Sequence, residues 1–203
     1  MGVLEKRAKH KEEFRREILD SAREIFISDG YDGFSMRKLA EKIGYSPTTI
    51  YLYFRNKDEL LFAICEEFFT VFFDELNRIR SASHDPIETL RQALLFLMEF
   101  GLQNPNQYKV IFFTKSNIYG TMDDLVEKES MARNTYLAFK EMIRDCVNAG
   151  LLREIDEDVI APALATISHG LVTKVLYCPH FLNNKSEVIA RSLVDALLRG
   201  YRK

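Results

Sequence analysis

The chain contains few residues of the kinds that interrupt helices or build covalent frameworks. Its 203 residues include 9 glycines, 5 prolines and 3 cysteines. Cys65, Cys146 and Cys178 lie far apart and form no CxxC pair, which indicates buried structural thiols in a reducing cytosol. Because no uncharged apolar run reaches about 18 residues and the charged N-terminus lacks an apolar signal region, we expect a cytoplasmic protein without a membrane anchor.

Motifs of catalysis and metal binding are also missing from the sequence. There is no nucleophile elbow, no glycine-rich phosphate loop, no HxxxH or HExxH pair and no telling pair of carboxylates. The acidic runs at 123–124 and 156–158 are typical of helix N-termini, where they face the positive end of the dipole. We therefore expect no enzyme activity, no cofactor and no metal.

What the sequence does contain is helical periodicity. Apolar residues recur at three- and four-residue spacing along most of the chain, which predicts an all-α protein of about nine helices without strands. Helix starts are indicated by an Asx residue followed three positions later by Glu or Gln, at 56–59, 85–88, 104–107 and 184–187. The predicted helices cover residues 10–28, 36–43, 47–53, 57–80, 86–102, 105–113, 122–149, 157–177 and 185–201.

Residues 33–60 have the spacing of a helix-turn-helix. Ala40 suits a close crossing of the second and third predicted helices, and Gly44 suits a left-handed turn between them. Ile50 would pack back beneath the second helix. The spacing alone also fits a plain helical hairpin.

The third predicted helix places hydroxyls and tyrosine rings on its non-core face: Thr48, Thr49, Tyr51 and Tyr53. Such groups can bond phosphates and touch thymine methyls in a major groove, although the face could also simply be solvated. Lys57 begins the next helix, whose N-terminal dipole favours phosphate, and the alternative is again a solvated side chain.

The net charge of −2 gives no overall indication of a nucleic-acid partner, but the N-terminus is locally basic. Its charged residues are Lys6, Arg7, Lys9, Lys11, Arg15 and Arg16 against Glu5, Glu12 and Glu13. A basic arm beside a helix-turn-helix would add attraction to phosphates. The alternative is a frayed segment that only improves solubility.

A longer pattern over residues 10–64 narrows this interpretation. Its members are Ala22, Phe26, Gly30, Tyr31, Phe34, Leu39, Ala40, Gly44, Tyr45, Ser46, Ile50, Tyr51, Tyr53, Phe54, Lys57, Leu60 and Leu61. In this pattern the segment resembles the DNA-binding domain of the TetR (tetracycline-repressor) family of bacterial transcriptional regulators. Tyr45 departs from the family, which more often has a small aliphatic residue there, and could pack on the turn or reach DNA.

The resemblance implies a homodimer that binds a palindromic DNA operator, usually as a repressor, and is usually released by a small molecule. It also implies a DNA-facing set: Arg37, Ser46, Pro47, Thr48, Thr49, Tyr51, Tyr53 and Lys57. Within this set we expect Thr48 and Thr49 at base edges, with Tyr53 as a further candidate. Tyr51 and Lys57 are expected at phosphates.

The sequence is thus divided into a DNA-binding domain, residues 1–56, and a helical effector-binding and dimerisation domain, residues 57–203. Aromatic residues in the second part more often mean a packed core than a ligand site. Because the family builds its effector cavity from the middle helices, we expect a mostly apolar cavity and an aromatic or acyl-type effector. The candidates are Phe72, Phe96, Phe100, Phe112, Tyr136, Phe139 and His169, of which His169 fits a hydrogen-bonded core histidine better than a ligand contact.

Small and apolar residues follow one strip of each of the last two predicted helices. The strip contains Ala163, Ile167, Gly170, Leu171, Lys174, Val188, Ser192 and Ala196. Paired with a symmetry mate, two such helices would form a four-helix dimer interface, whereas the alternative is an intrachain core. The alternative function is an effectorless DNA-binding scaffold or accessory dimer with a packed interior.

Overall fold

The computed structural model describes residues 2–113, 118–178, 180 and 185–203. These residues contain ten α-helices and no strand beyond an isolated bridge between Leu152 and Arg202, which confirms the all-α prediction. The helices are α1 Val3–Gly33, α2 Met36–Ile43, α3 Pro47–Tyr51, α4 Lys57–Ala82, α5 Pro86–Gln103, α6 Pro105–Phe113, α7 Met122–Glu127, α8 Met131–Asn148, α9 Glu157–Tyr177 and α10 Ser186–Gly200.

The prediction of one helix over 122–149 is wrong, because the structure divides this stretch into α7 and α8. Ser130 has extended backbone angles (φ −161°, ψ 160°) and its Oγ accepts a hydrogen bond from the Arg133 N–H at 3.0 Å. This serine therefore caps a new helix. Hydrophobic periodicity did not reveal the break, since it reports burial and not the capping of backbone groups.

The first helix is also longer than the predicted 10–28. It begins at Val3 and ends at Gly33, with a kink at Gly30, whose φ of 70° is left-handed. The added N-terminal turns are rich in Lys, Arg and Glu, which are good helix formers without an apolar stripe. Periodicity therefore underestimated the helix at this end.

The four Asx helix-start signals have different outcomes. The Asn56 side chain accepts from the Glu59 N–H at 2.9 Å, and that of Asp85 accepts from the Ile87 N–H at 3.1 Å. Asn104 instead donates its side-chain amide to the Phe100 carbonyl at 3.1 Å. The fourth signal begins at residue 184, which lies outside the described residues.

The three cysteines differ in environment. Cys65 and Cys146 are buried, and burial raises the pKa of each thiol to about 12, so both are inert structural groups as predicted. The prediction is wrong for Cys178, which is exposed because it directly follows the last turn of α9, where its N–H bonds to the Lys174 carbonyl at 2.9 Å.

The described residues group into two compact units. Unit 1 comprises Met1–Phe68 and Asn106–Glu127, and unit 2 comprises Phe69–Pro105 and Lys128–Lys203. Helix α4 is one continuous helix that begins in the first unit and ends in the second. The domain border between residues 56 and 57 stays a prediction.

Unit 1 is built around α1, α2 and α3. Ile18, Leu39 and Ile50 are fully buried where these three helices meet. The rings of Phe26 and Phe34 stack at 4.3 Å and close the end of α1 onto the start of α2. This apolar centre fixes α3 in place and leaves its opposite face in solvent.

Unit 2 is built around α5, which packs against α8, α9 and α10. Leu90, Leu94 and Met98 of α5 are fully buried. At the surface, Arg80 near the end of α4 pairs with Glu141 at 2.5 Å and Asp145 at 3.0 Å, both on α8. These ion pairs connect the last turns of α4 to the helical core of this unit.

Candidate DNA-binding, effector and dimer sites

The turn between α2 and α3 is shaped by Gly44, which has φ 74° and ψ 25°. This left-handed conformation is accessible to glycine without strain and ends α2 sharply. Ser46 then caps α3: its Oγ accepts from the Thr49 N–H at 3.2 Å and lies 2.9 Å from Thr49 Oγ1. Pro47 follows at the first helical position, where its missing N–H costs nothing.

The predicted DNA-facing residues lie on and around α3 at different depths. Ile50 is fully buried and anchors the helix. Tyr51 is 51% exposed, and Thr48 is also exposed. Thr49 and Tyr53 are half-buried, since the Thr49 hydroxyl bonds to Ser46 and the Tyr53 ring packs against Phe14. The exposed residues of α3 are therefore Pro47, Thr48 and Tyr51.

Three further members of the set surround α3. Ser46 and Pro47 are exposed at its N-terminus. Arg37 is exposed near the start of α2, where its Nε donates to Glu41 at 2.9 Å. Tyr45 packs its ring 4.5 Å from that of Phe14 but remains 45% exposed, so it contacts the body of unit 1 and also presents surface beside α3.

Lys57 at the start of α4 is half-buried and already bonded to α1. Its Nζ donates to the Tyr31 carbonyl at 3.1 Å and lies 3.8 Å from the centre of the Tyr31 ring. The hydroxyl of Tyr31 donates to the carboxylate of Asp58, the next residue of α4. An ammonium group has three donors, so this contact leaves donors on Lys57 for a second acceptor.

Sequence reasoning missed Arg55, whose side chain is 89% exposed in the segment between α3 and α4. Its backbone N–H donates to Glu59 Oε2 at 2.6 Å, which fixes the segment in front of α4. The signal was available, because a basic residue in a loop beside a recognition helix is well placed for phosphate.

Three of the predicted effector residues form an aromatic cluster in unit 2, which we call the phenylalanine cluster: Phe72, Phe96 and Phe100. The Phe72 ring lies 4.8 Å from Phe96 and 6.2 Å from Phe100. Phe72 is 7% exposed, whereas the other two are half-buried. The rings meet in tilted and edge-on arrangements, as packed aromatic side chains generally do.

Two other predicted effector residues contact different groups. Phe112 belongs to unit 1, with its ring 5.9 Å from Phe68 and 4.7 Å from Tyr108. The hydroxyl of Tyr136 lies 3.5 Å from the carboxylate of Asp158, which also forms an ion pair with Lys140 of α8. Phe139 and His169 are half-buried in α8 and α9. The effector role of all seven residues stays a prediction.

Two cavities of the described residues lie in unit 2, away from the phenylalanine cluster. One, of about 330 Å³, lies between the end of α4, the start of α5 and α8, with Arg80, His84 and Asp145 in its wall. The other, of about 300 Å³, lies between α5 and α10, with Glu99 and Arg191 in its wall. Both are lined by polar and apolar groups in about equal measure.

The predicted dimer strip is mostly accessible on the single chain. On α9, Gly170 and Lys174 are exposed and Ala163 and Ile167 are half-buried, whereas Leu171 is buried within unit 2. On α10 the strip is exposed at Val188, Ser192 and Ala196.

The composition of α9 explains this apolar surface. Among the described residues, α9 has the length and mean hydropathy (1.5) of a membrane span, with 33% of that window buried. This is weak evidence for a membrane, because a helix at an apolar protein interface passes the same test.

Comparison with known protein families identifies the family of this chain. Residues 18–64 match the family described as bacterial regulatory proteins, tetR family, and residues 85–203 match the C-terminal region of MAATS-type transcriptional repressors. The chain belongs to the TetR family. It is therefore a DNA-binding transcriptional regulator, as the pattern around α3 predicted.

Individual relatives of this TetR-family regulator are distant. It is 26% identical over 148 residues to the uncharacterized regulator YhgD of Bacillus subtilis, covering 71% of this chain and 74% of that protein. It is 26% identical over 92 residues to the regulator SAB2452 of Staphylococcus aureus, a match that spans 45% of this chain and only 50% of the relative. The fold is also that of Bacillus subtilis FadR solved with stearoyl-CoA (TM-score 0.75, 18% identity, 92% and 99% coverage).

His169 gives the regulator a specific dependence on pH. Burial lowers the pKa of this histidine from 6.5 to about 4. The unfolded chain therefore binds a proton at this histidine below about pH 6.5, whereas the folded chain does so only below about pH 4. Because of this difference, the stability of the fold decreases as the pH is lowered through this window. We expect a loss of about 2 kcal/mol between pH 7 and pH 5 from this group.

The measurement is urea unfolding of the wild type and of His169→Gln at the two pH values. The variant should lose less stability between them, by about the same 2 kcal/mol. An equal loss in both proteins would show that His169 titrates normally.

Proposed function

We propose that this regulator is a cytoplasmic repressor that binds a palindromic operator as a homodimer and is released by a small, largely hydrophobic effector. The observation that carries the proposal is α3, a short helix capped by Ser46 and anchored by Ile50 that presents Thr48 and Tyr51 to solvent. In a symmetric dimer, two such helices enter successive major grooves about 34–36 Å apart, or a multiple of that distance.

The burial of each side chain suggests its role on DNA. Thr48 is exposed, and its small side chain can fit against base edges. Thr49 must first break its hydrogen bond to Ser46. The exposed Tyr51 and the partly engaged Lys57 suit phosphate oxygens. Arg37, Pro47 and Tyr53 complete the proposed surface at its edges.

Selection from a randomised duplex library tests the operator. The wild-type chain should enrich a palindrome whose half-sites are spaced by one or more helical turns. Footprinting on its own upstream intergenic DNA should protect a matching site. If the protein enriches no sequence over the starting library, the proposal of sequence-specific DNA binding is refuted.

Helix α4 is the proposed route from effector to DNA. Its first turns are bonded to α1 through Lys57 and Asp58 to Tyr31, and Glu67 pairs with Arg23 at 2.6 Å. A change in the tilt of α4 would therefore move α1, and with it α3. An effector shifts this equilibrium only by its different affinity for the two arrangements.

The phenylalanine cluster is the proposed effector contact. Phe96 and Phe100 are only half-buried, so apolar surface remains for a ligand. A protein of the same fold, FadR of Bacillus subtilis, was solved with stearoyl-CoA. Both observations support an effector with an acyl or aromatic portion.

Phe100→Ala is expected to change effector response without changing operator affinity. The half-buried ring contributes to the cluster. Its removal should raise the stearoyl-CoA concentration needed for a given thermal stabilisation at least tenfold, since a lost aromatic contact costs about 1.5 kcal/mol or more. Operator affinity without effector should stay within about twofold, because such a change is under 0.5 kcal/mol.

Phe113→Ala, which removes a ring that is 46% exposed on α6, is the matched control and should leave both quantities unchanged. If Phe100→Ala instead weakens operator binding directly, the cluster is structural core. If neither acyl-CoAs nor aromatic compounds stabilise the wild type, the effectorless DNA-binding scaffold or accessory dimer is the better description.

A further inference from the structure

The first turns of α1 extend beyond the packed part of unit 1. Phe14 is the start of the buried stretch of this helix, whereas residues 5–13 are all exposed. The segment is helical because Lys, Arg and Glu have high helix propensity, and not because it packs on anything. A charged helical extension of this kind either stays in solvent or meets a partner of opposite charge.

One face of this extension carries only basic charges. Arg7 and Lys11 continue, at four- and three-residue spacing, the row in which Phe14 and Ile18 pack into unit 1. Arg15 adjoins this row, with its guanidinium 5.0 Å from the centre of the Phe54 ring. We call Arg7, Lys11 and Arg15 the basic row.

The other side of the same helix is acidic. Its residues, again at three- and four-residue spacing, are Glu13, Glu17, Asp20 and Glu24. Lys6 and Lys9 fall on this acidic side, and Lys9 pairs with Glu13 at 3.8 Å. Lys9 is therefore partly neutralised by its neighbour, whereas the basic row presents one sign of charge.

The basic row lies on the side of α1 that packs against the residues flanking α3. The Phe14 ring packs 4.5 Å from Tyr45 and 5.1 Å from Tyr53, which lie two residues before and two residues after α3. At 1.5 Å of rise per residue, Lys11 and Arg7 lie about 5 and 10 Å from Phe14 along the helix axis, toward the N-terminus. Both are exposed, so their charges are free of the packing that holds Phe14.

We propose that the basic row is a second DNA contact, in which Arg7 and Lys11 bind backbone phosphates that flank the groove entered by α3. The occupant is duplex DNA, because the row is continuous with the surface around α3 and complementary to phosphate in charge. The inference rests on the proposed function only in requiring that α3 binds duplex DNA. The contact adds affinity and lengthens the footprint without reading sequence.

The test is the salt dependence of binding to a duplex that the wild-type chain selects from a randomised library. Each phosphate contact contributes about 0.9 to the slope of log affinity against log salt concentration. Arg7→Ala with Lys11→Ala should therefore reduce the slope by about 1.8 for each bound protomer, which is about 3.6 for a dimer, and shorten hydroxyl-radical protection at the flanks of the site. The preferred sequence should not change.

The matched control is Lys6→Ala with Lys9→Ala, which removes the same charge from the acidic side and should change the slope by less than about half as much. Arg7→Lys with Lys11→Arg should restore the wild-type slope, and circular dichroism verifies helicity in each variant. Equal slope losses in both double alanine variants, or no loss in the first, would overturn the proposal while leaving specific binding through α3 intact. Failure of the wild type to select any duplex would instead overturn the proposed function.

Discussion

Replacing Val188 with glutamate is expected to convert the proposed dimer into monomers and to remove tight operator binding. Val188 is 67% exposed on α10 and lies on the proposed strip with Ser192 and Ala196. In a symmetric dimer the change places an unpaired carboxylate in the interface of both copies, at a cost of about 3–5 kcal/mol for each buried charge. The dimer dissociation constant should rise at least a hundredfold, which is about 2.7 kcal/mol.

Sedimentation equilibrium measures the association, and gel shift with the selected duplex measures its consequence for DNA. The matched control is Val71→Glu, at a valine of α4 that is 60% exposed and lies outside the strip. It should remain dimeric and bind normally. A Val188→Glu protein that is still a dimer would place the interface on another surface.

Replacing Tyr51 with alanine is expected to weaken operator binding by roughly ten- to a hundredfold for each half-site, since a hydrogen bond to a charged group is worth about 1.5–3 kcal/mol. The side chain is half exposed on α3, whereas its neighbour Ile50 is fully buried and anchors the helix. The fold and the dimer should therefore be unaffected. Because a phosphate contact carries no sequence information, the loss should be similar for every duplex that the protein binds.

Two further variants separate the parts of this contact. Tyr51→Phe should reproduce most of the loss if the hydroxyl bonds a phosphate. Thr48→Ala should instead relax the preference at one base-pair position in each half-site, as expected for a base-edge contact. Unchanged affinity in Tyr51→Ala would remove this residue from the interface.

The helices themselves were largely predictable because their signals are local. Predicted helices 36–43, 105–113 and 157–177 coincide with α2, α6 and α9. In each case a cap or proline defines the start, and apolar spacing defines the length. The exceptions were also local: Ser130 competes for the backbone as a cap, and the charged start of α1 is helical without an apolar stripe.

The grouping of side chains was less predictable, because it depends on residues distant in sequence. Phe72 packs against Phe96, whereas Phe112 packs against Tyr108. Lys57 was expected either at phosphate or in solvent, yet it bonds Tyr31 of α1. No periodicity or spacing in one helix reports such contacts.

The sequence by itself determined that this chain is helical and carries a helix-turn-helix, since capping, glycine conformation and apolar spacing act within a few residues. Tertiary structure alone decided which groups are accessible: Leu171 is buried, Val188 is exposed, and Arg7 and Lys11 extend the side of α1 that packs beside α3. The physical reason is that burial and charge complementarity depend on the packing of whole helices, which local patterns do not specify.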